Sequence, residues 1–206
     1  MTSRVLTAAR SAAWVLLRVL PPRRHAVVHG WPDNEANAVE VVRALRRRYS
    51  GTVYWSLDDP SFRGPAPAAA ELADPRIRRV RRRSLRALAA YVTAEVTFFT
   101  HGLYTAVKPP RTRLVVNLWH GDGPKATRQS HLVRSTVVVS GTQLWGRYKG
   151  ELFGVGPGDV AVVGNPRVDE FDEELPGDAL PRLGLSGDRP IVLWLPTYRE
   201  ARGPRA

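Results

Sequence analysis

The chain has 206 residues, and its 31 Lys and Arg against 19 Asp and Glu give a formal net charge of +12. Its hydrophobic content of 43% is enough to bury a core, which excludes a wholly disordered chain. The absence of cysteine excludes disulfides, cysteine-ligated zinc or iron–sulfur sites and a thiol nucleophile.

The positive charge is concentrated in the first three quarters of the sequence. Residues 1–150 hold 25 basic and 9 acidic residues, a net charge of +16, whereas residues 151–206 hold 6 and 10, a net charge of −4. A positive domain of this kind indicates an anionic partner, which is a phospholipid surface, a phosphate-rich substrate or nucleic acid.

Residues 1–22 are predicted to form an amphipathic helix. The apolar run is too short and too charged for a transmembrane helix, and it lacks the uncharged segment of a secretory signal. Two interpretations stay open: a helix packed on its own domain, or one lying in a membrane interface. One helical face carries Val5, Leu6, Ala9, Leu16 and Leu20, and the other carries Arg4, Arg10, Trp14 and Arg18.

Residues 23–175 predict an α/β domain with a Rossmann-like parallel sheet. Strands that are apolar on both faces and separated by helices or long loops are typical of parallel sheets. Asn34 is predicted to cap the first helix of this domain. The predicted strands are 25–30, 52–57, 77–80, 95–100, 114–118, 136–140 and 160–163, and the predicted helices are 35–49, 84–92 and 141–153.

The last part of the chain predicts a linker followed by one more strand. Residues 176–189 are rich in Gly, Asp and Pro, as linkers are. Residues 191–195 have the pattern of a buried strand, which needs neighbouring strands for its backbone. This strand either joins the edge of the first domain or, as we favour, begins a second, truncated domain at 190–206.

Polar clusters follow four of the predicted strands. In an open parallel sheet, ligands bind beyond the carboxyl ends of the strands, so these clusters are candidate site segments. They are residues 29–35, 119–125, 164–169 and 196–199.

The cluster at 119–125 is the best catalytic candidate. His120 can act as a general base near neutral pH, and Lys125 can neutralise a phosphate. Gly121 and Gly123 allow the backbone to approach a ligand closely. The alternative is a strand-to-helix turn that carries a hydrogen-bonded surface histidine.

The remaining candidates are weaker. Arg167 and Asp169 follow the turn at Asn165, and we expect them to form a structural ion pair rather than to touch substrate. Arg199 is either a phosphate clamp or, by default, an exposed arginine near the chain end. Six arginines within 76–83 predict either an anion-binding patch or a solvated face.

Several other site classes lack their motifs in the sequence. It contains no Walker loop, no GxGxxG after the first strand, no HExxH and no GxSxG, and no recognisable nucleic-acid-binding module. Its five histidines have no metal-ligand spacing. No cofactor is therefore evident, the sequence leaves the metal requirement open, and nucleic acid is disfavoured as a partner.

Four segments resemble the CDP-glycerol glycerophosphotransferase family of teichoic-acid polymerases and primases, in the family's order and over about residues 25–200. Trp119-His120-Gly121 with Lys125 is similar to its Trp-His-Gly…Lys segment. Gly164-Asn165-Pro166-Arg167-Val168-Asp169 is similar to its Gly-x-Pro-Arg-x-Asp segment. Leu195-Pro196-Thr197-Tyr198-Arg199 is similar to its Ala-Pro-Thr-aromatic-Arg segment. Asp33-Asn34-Glu35-Ala36-Asn37-Ala38 resembles the segment that opens the first helix.

The resemblance implies a GT-B-like enzyme on the cytoplasmic face of the plasma membrane, bound peripherally to anionic lipid. Such enzymes transfer a polyol phosphate from a CDP-linked donor such as CDP-glycerol to a lipid-linked, phosphate-rich acceptor, with release of CMP. His120 would be the base. Phosphate or substrate binding would fall to Asn34, Gly121, Lys125, Asn165, Arg167, Asp169, Thr197 and Arg199.

The sequence departs from the family pattern in two places. Asp122-Gly123-Pro124 stands where many members have Thr-Pro-Leu, and a carboxylate beside the base would repel a phosphate. Beyond the strand at 191–195, the sequence offers no residues for the donor-binding second domain, so we expect the chain to be inactive alone. The alternative function is a non-catalytic basic module that binds an anionic membrane or a polyanion.

Overall fold

The computed structural model of the chain describes residues 3–65, 68–102, 109–123, 133–174 and 177–194. The chain divides into two compact units, 1–170 and 171–206. The helices of the first unit are α1 (Ser3–Val19), α2 (Ala36–Arg48), α3 (Leu85–Thr93) and α4 (Gln143–Phe153), and α5 (Ala179–Arg182) belongs to the second. The strands are β1 (Arg23–His29), β2 (Thr52–Leu57), β3 (Ile77–Arg81), β4 (Ala94–Phe99), β5 (Leu114–Asn117), β6 (Val137–Ser140) and β7 (Val160–Val162).

The seven described strands form one sheet in the order β3-β2-β1-β4-β5-β6-β7. Every pairing is parallel. This confirms the predicted α/β fold with a Rossmann-like sheet. The strand order reverses between β1 and β4, and the crevice at such a switch point is where open α/β sheets bind ligands.

Helices cover both faces of the sheet. Ala26 and Val28 of β1 belong to the core under α2, while Val27 between them packs against Ala90 of α3. Alternate residues of a strand point to opposite faces, so both sets are apolar in a sheet that is buried on both sides. Phe153 of α4 packs with the part of the core on the α3 side of the sheet.

The start of α2 differs from the sequence prediction. Asn34 was predicted as the N-cap, and this is wrong, since Glu35 caps the helix through a 2.9 Å hydrogen bond from the Ala38 amide to its carboxylate. A glutamate at this position also places negative charge at the positive end of the helix dipole. Asn34 is exposed.

The C-terminal half of α1 packs on its own domain. Leu17 is buried against Tyr91 and Val92 of α3, and the Arg113 guanidinium donates to the carbonyls of Leu17 and Leu20 near the helix end. The predicted helix is observed, and the Leu16 side chain on its predicted apolar face is exposed. No described helix is long and apolar enough to cross a membrane.

In the second unit, the described part of the predicted strand at 191–195 is not a strand. Residues 191–194 form no strand, and Val192 and Trp194 are 91% and 82% exposed. The apolar run at this point satisfies the sequence pattern, but no strand within the described ranges pairs with it, and a strand forms only with a hydrogen-bonded neighbour. The predicted domain limits stay predictions.

Candidate functional site

Three histidines stand at the carboxyl ends of three neighbouring strands. His29 ends β1, His101 follows β4 and His120 follows β5. The imidazole rings of His101 and His120 are stacked, with centroids 4.7 Å apart and 11° between their planes. Trp31 meets the His101 ring edge-on at 5.5 Å, and Trp119 lies 4.1 Å from the His120 ring. We call these four side chains the aromatic stack.

Burial keeps the inner histidines of this edge uncharged. Burial and then the charge of Arg82 lower the pKa of His29 to about 3. Burial, with a smaller contribution from His120, lowers the pKa of His101 to about 4. At neutral pH His101 therefore adds no positive charge beside His120, whose exposed ring is open to solvent. A base that must accept a proton is favoured by an uncharged neighbour.

The loop that carries His120 has an unusual backbone. Trp119 has a positive φ of 56°, a region that side chains other than glycine rarely adopt, and Gly121 has a φ of 150°. The left-handed conformation costs roughly 1–2 kcal/mol for a residue with a Cβ. The Trp119 amide donates a hydrogen bond to the Asn117 side-chain oxygen at 3.0 Å, which helps to hold Trp119 in this conformation. Strain of this kind is common at functional sites.

Asn37 joins this loop to two other segments. Its fully buried side-chain amide donates to the Trp119 carbonyl at 3.3 Å and to the Glu35 carboxylate at 3.1 Å. Its oxygen accepts the Arg167 amide at 3.1 Å. Three of the predicted clusters thus meet on Asn37, which was not among the predicted site residues. The sequence signal that could have identified Asn37 is a polar residue between two alanines in the first turn of a helix.

The Arg167 side chain contacts the backbone of the candidate base, His120. Its guanidinium donates to the carbonyl of His120. The predicted ion pair between Arg167 and Asp169 is wrong, because the guanidinium has this carbonyl as its partner and Asp169 points to solvent. A Cβ on Gly121 would lie 3.4 Å from the guanidinium, which is an ordinary van der Waals distance.

Asp122 lies in a network that compensates its charge. Its carboxylate is 2.5 Å from the Lys149 ammonium and accepts the Gly141 amide at 2.7 Å, with the Asn165 amide at 3.5 Å. Burial opposes its ionisation, but the bonds from Lys149 and Gly141 leave its pKa below the ordinary value. The expected repulsion of a phosphate by Asp122 is thereby reduced.

The other predicted residues fall into two groups. Lys125, Thr197 and Arg199 lie outside the described residues, and their roles stay predictions. Within the arginine cluster, the side chains of Arg76, Arg79 and Arg82 bond to their own domain, at Asp74, the Leu72 carbonyl and Asp33. Among the described residues, no group of three His, Asp or Glu is placed to hold a metal ion.

A family model described as CDP-Glycerol:Poly(glycerophosphate) glycerophosphotransferase matches residues 27–204. The chain belongs to this family. The match confirms the resemblance found in the four segments and makes the chain a transferase by family. It also agrees in kind with CDP-glycerol as the donor.

Solved structures of the wall teichoic acid polymerase TagF share the fold. One, a histidine-to-alanine variant, has a TM-score of 0.63 and 15% sequence identity over 95% of this chain and 54% of its own. Another, a variant soaked with CDPG, has a TM-score of 0.62 and 14% identity over 86% and 48%. The chain thus spans about half the length of these neighbours. Comparison with curated proteins gives no match.

Proposed function

We propose that this protein works in teichoic-acid-type polymer synthesis, transferring glycerol phosphate or a similar polyol phosphate from a CDP-linked donor to a lipid-linked acceptor. The observation that carries the proposal is the exposed imidazole of His120 at the carboxyl ends of the strands, one strand away from the switch point. It lies on a loop held by Asn37 and Arg167. Family membership supplies the reaction class.

In the proposed step His120 takes the proton of the acceptor hydroxyl. The hydroxyl oxygen forms a bond to the phosphorus that bears the polyol, and the bond from that phosphorus to the CMP oxygen breaks, so CMP leaves. General bases contribute about 10²–10⁴-fold to such reactions. Cationic groups near the site stabilise the charge on the transferring phosphoryl group, as in phosphoryl transfer generally.

We further propose that the 206 residues carry the acceptor side of the reaction and do not turn over alone. Their span of about half of the TagF chains supports this division. The non-catalytic alternative has less support, because Arg76, Arg79 and Arg82 are engaged by their own domain.

The test uses labelled CDP-glycerol and a lipid-linked acceptor. The chain alone is expected to give no labelled polymer, and turnover would refute the proposed division. In a form of the protein that turns over, His120→Ala should lower kcat by about 10²–10⁴-fold. The control is His25→Gln, which removes a histidine from the other end of β1 and should retain activity. Full activity of His120→Ala would remove the proposed base.

We also propose that the protein is peripheral on the cytoplasmic face of the plasma membrane, through anionic lipid. The exposed side of α1, opposite the side that packs on the domain, carries Val15, Leu16 and Val19. On the same helix the Arg18 guanidinium lies 3.8 Å from the centre of the Trp14 ring. An apolar stripe beside Trp and Arg suits the head-group region of a bilayer.

Vesicle sedimentation tests the membrane proposal. The chain should sediment with vesicles that contain anionic lipid and less with neutral ones. Leu16→Ser with Val19→Ser should weaken this binding, whereas Leu144→Ser, which changes an exposed leucine on α4, should not. Binding that is independent of lipid charge would count against the proposal.

A further inference from the structure

We infer that Asp122 and Lys149 form a positioning pair that holds His120 in the aromatic stack. The structural part concerns the chain as it stands. Its catalytic consequence rests on the proposed function, in which His120 is the base. Neither residue would touch the substrate in this role, and both act through the loop that carries His120.

The contacts tie the loop to a rigid part of the fold. Lys149 is 3% exposed on α4, and its ammonium donates to the Val139 carbonyl of β6 at 3.0 Å as well as pairing with Asp122 at 2.5 Å. Asp122 also accepts the Gly141 amide at 2.7 Å. The residue two positions after His120 is therefore fixed to both β6 and α4.

The loop is held from its other side by different groups. Asn37 bonds to the Trp119 carbonyl and Arg167 to the His120 carbonyl. These bonds act before and at His120, and Asp122 acts after it. Trp119 and Gly121 both have a positive φ, which glycine tolerates but which a residue with a side chain such as Trp119 does not favour. Anchors on both sides are what such a conformation requires.

A buried ion pair is weak evidence for stability, because removing two charges from water offsets most of their attraction. Replacing both partners with neutral groups of similar size is often tolerated, whereas removing one leaves a buried charge without compensation. The double variant Asp122→Asn with Lys149→Met is thus expected to fold, and its effect on His120 reports positioning.

The experiment is NMR on the full chain with labelled histidine, which gives five imidazole signals to assign. His101→Phe and His120→Ala identify the two that matter. With ring centroids 4.7 Å apart, the native chain should show a nuclear Overhauser effect between the two imidazoles. The double variant should lose it, and both imidazole shifts should move towards those of unstacked histidine.

The matched control is Glu71→Gln, which removes a partly buried carboxylate that pairs with Arg43 and Arg47 away from this edge of the sheet. In this control variant, the imidazole signals of His101 and His120 should be unchanged. If the double variant does not fold, Asp122→Asn with Lys149→Gln, which also leaves no buried charge unpaired, takes its place. An unchanged Overhauser effect and unchanged shifts in whichever variant is folded would overturn the inference.

The outcome separates this inference from the proposed function, because the readout needs no donor or acceptor. If the double variant loses the stack but no form of the protein turns over CDP-glycerol, the positioning pair is supported and the proposed function is rejected. In a form that turns over, the double variant should lower kcat more than it raises KM. Turnover with an unaltered stack and unaltered kcat would reject the pair alone.

Discussion

His101 and His120 stack face to face, although 18 residues and a strand separate them in the chain. They meet because β4 and β5 are neighbours and parallel, so both strands end at the same edge of the sheet. His101 also accepts or donates a hydrogen bond at the Thr100 hydroxyl, 3.1 Å away. The stack places an uncharged ring against the candidate base.

The first prediction concerns pH. Folding lowers the pKa of His101 from about 6.5 to about 4 and that of His29 to about 3. Between these values and 6.5 the unfolded chain binds more protons than the folded one. The free energy of unfolding should therefore fall as the pH drops from 6.5 towards 4, and further towards 3. Urea unfolding at a series of pH values measures this.

The variant His101→Phe keeps an aromatic ring in the stack and removes one titrating group. Its unfolding free energy should depend less steeply on pH between 6.5 and 4 than that of the native chain. Equal slopes in the two proteins would show that His101 titrates normally in the folded state.

The second prediction concerns the buried amide of Asn37. Asn37→Ala leaves the Trp119 carbonyl and the Arg167 amide without their partner, and the unfolding free energy should fall by about 1–3 kcal/mol. Asn34→Ala, three residues earlier and exposed, should change it by less than about 0.5 kcal/mol. Denaturant unfolding of both variants measures these two changes, and equal effects would contradict the role given to Asn37.

The third prediction concerns space at Gly141. A Cβ there would lie 2.7 Å from the Asp122 carboxylate, which Lys149 holds in place. Gly141→Ala should therefore lower the unfolding free energy by about 1–3 kcal/mol, as overpacking does. At Gly123 a Cβ would meet nothing within 4 Å, so Gly123→Ala is the control and should be nearly neutral. Thermal melts that coincide for the two variants would refute this account.

The fourth prediction concerns the attachment of α1. The buried Arg113 guanidinium bonds to three carbonyls, those of Leu17, Leu20 and Ala94. Arg113→Met should leave them without a donor, lower the unfolding free energy by about 1–3 kcal/mol and speed hydrogen exchange at the end of α1. Arg111→Met, at an exposed position two residues earlier, should do neither. Unchanged exchange in Arg113→Met would show that apolar packing alone holds the helix.

Local pattern was sufficient to predict the elements of the first unit. The strand predicted at 52–57 is observed as Thr52–Leu57, and the helix predicted at 35–49 as Ala36–Arg48. Both follow from apolar periodicity over a few residues, which a sequence displays directly. The same logic failed at 191–194, where an apolar run has no strand beside it among the described residues.

The sequence by itself determined the order of strands and helices along the chain, the family and the identity of His120 as the candidate base. Only the tertiary structure selected Asn37 over Asn34, paired Asp122 with Lys149 and gave Arg167 the His120 carbonyl as its partner. Asn37 bonds across 82 residues to Trp119 and across 130 to Arg167. Such partners are set by which strands become neighbours in the sheet, and a local pattern of residues carries no record of that order.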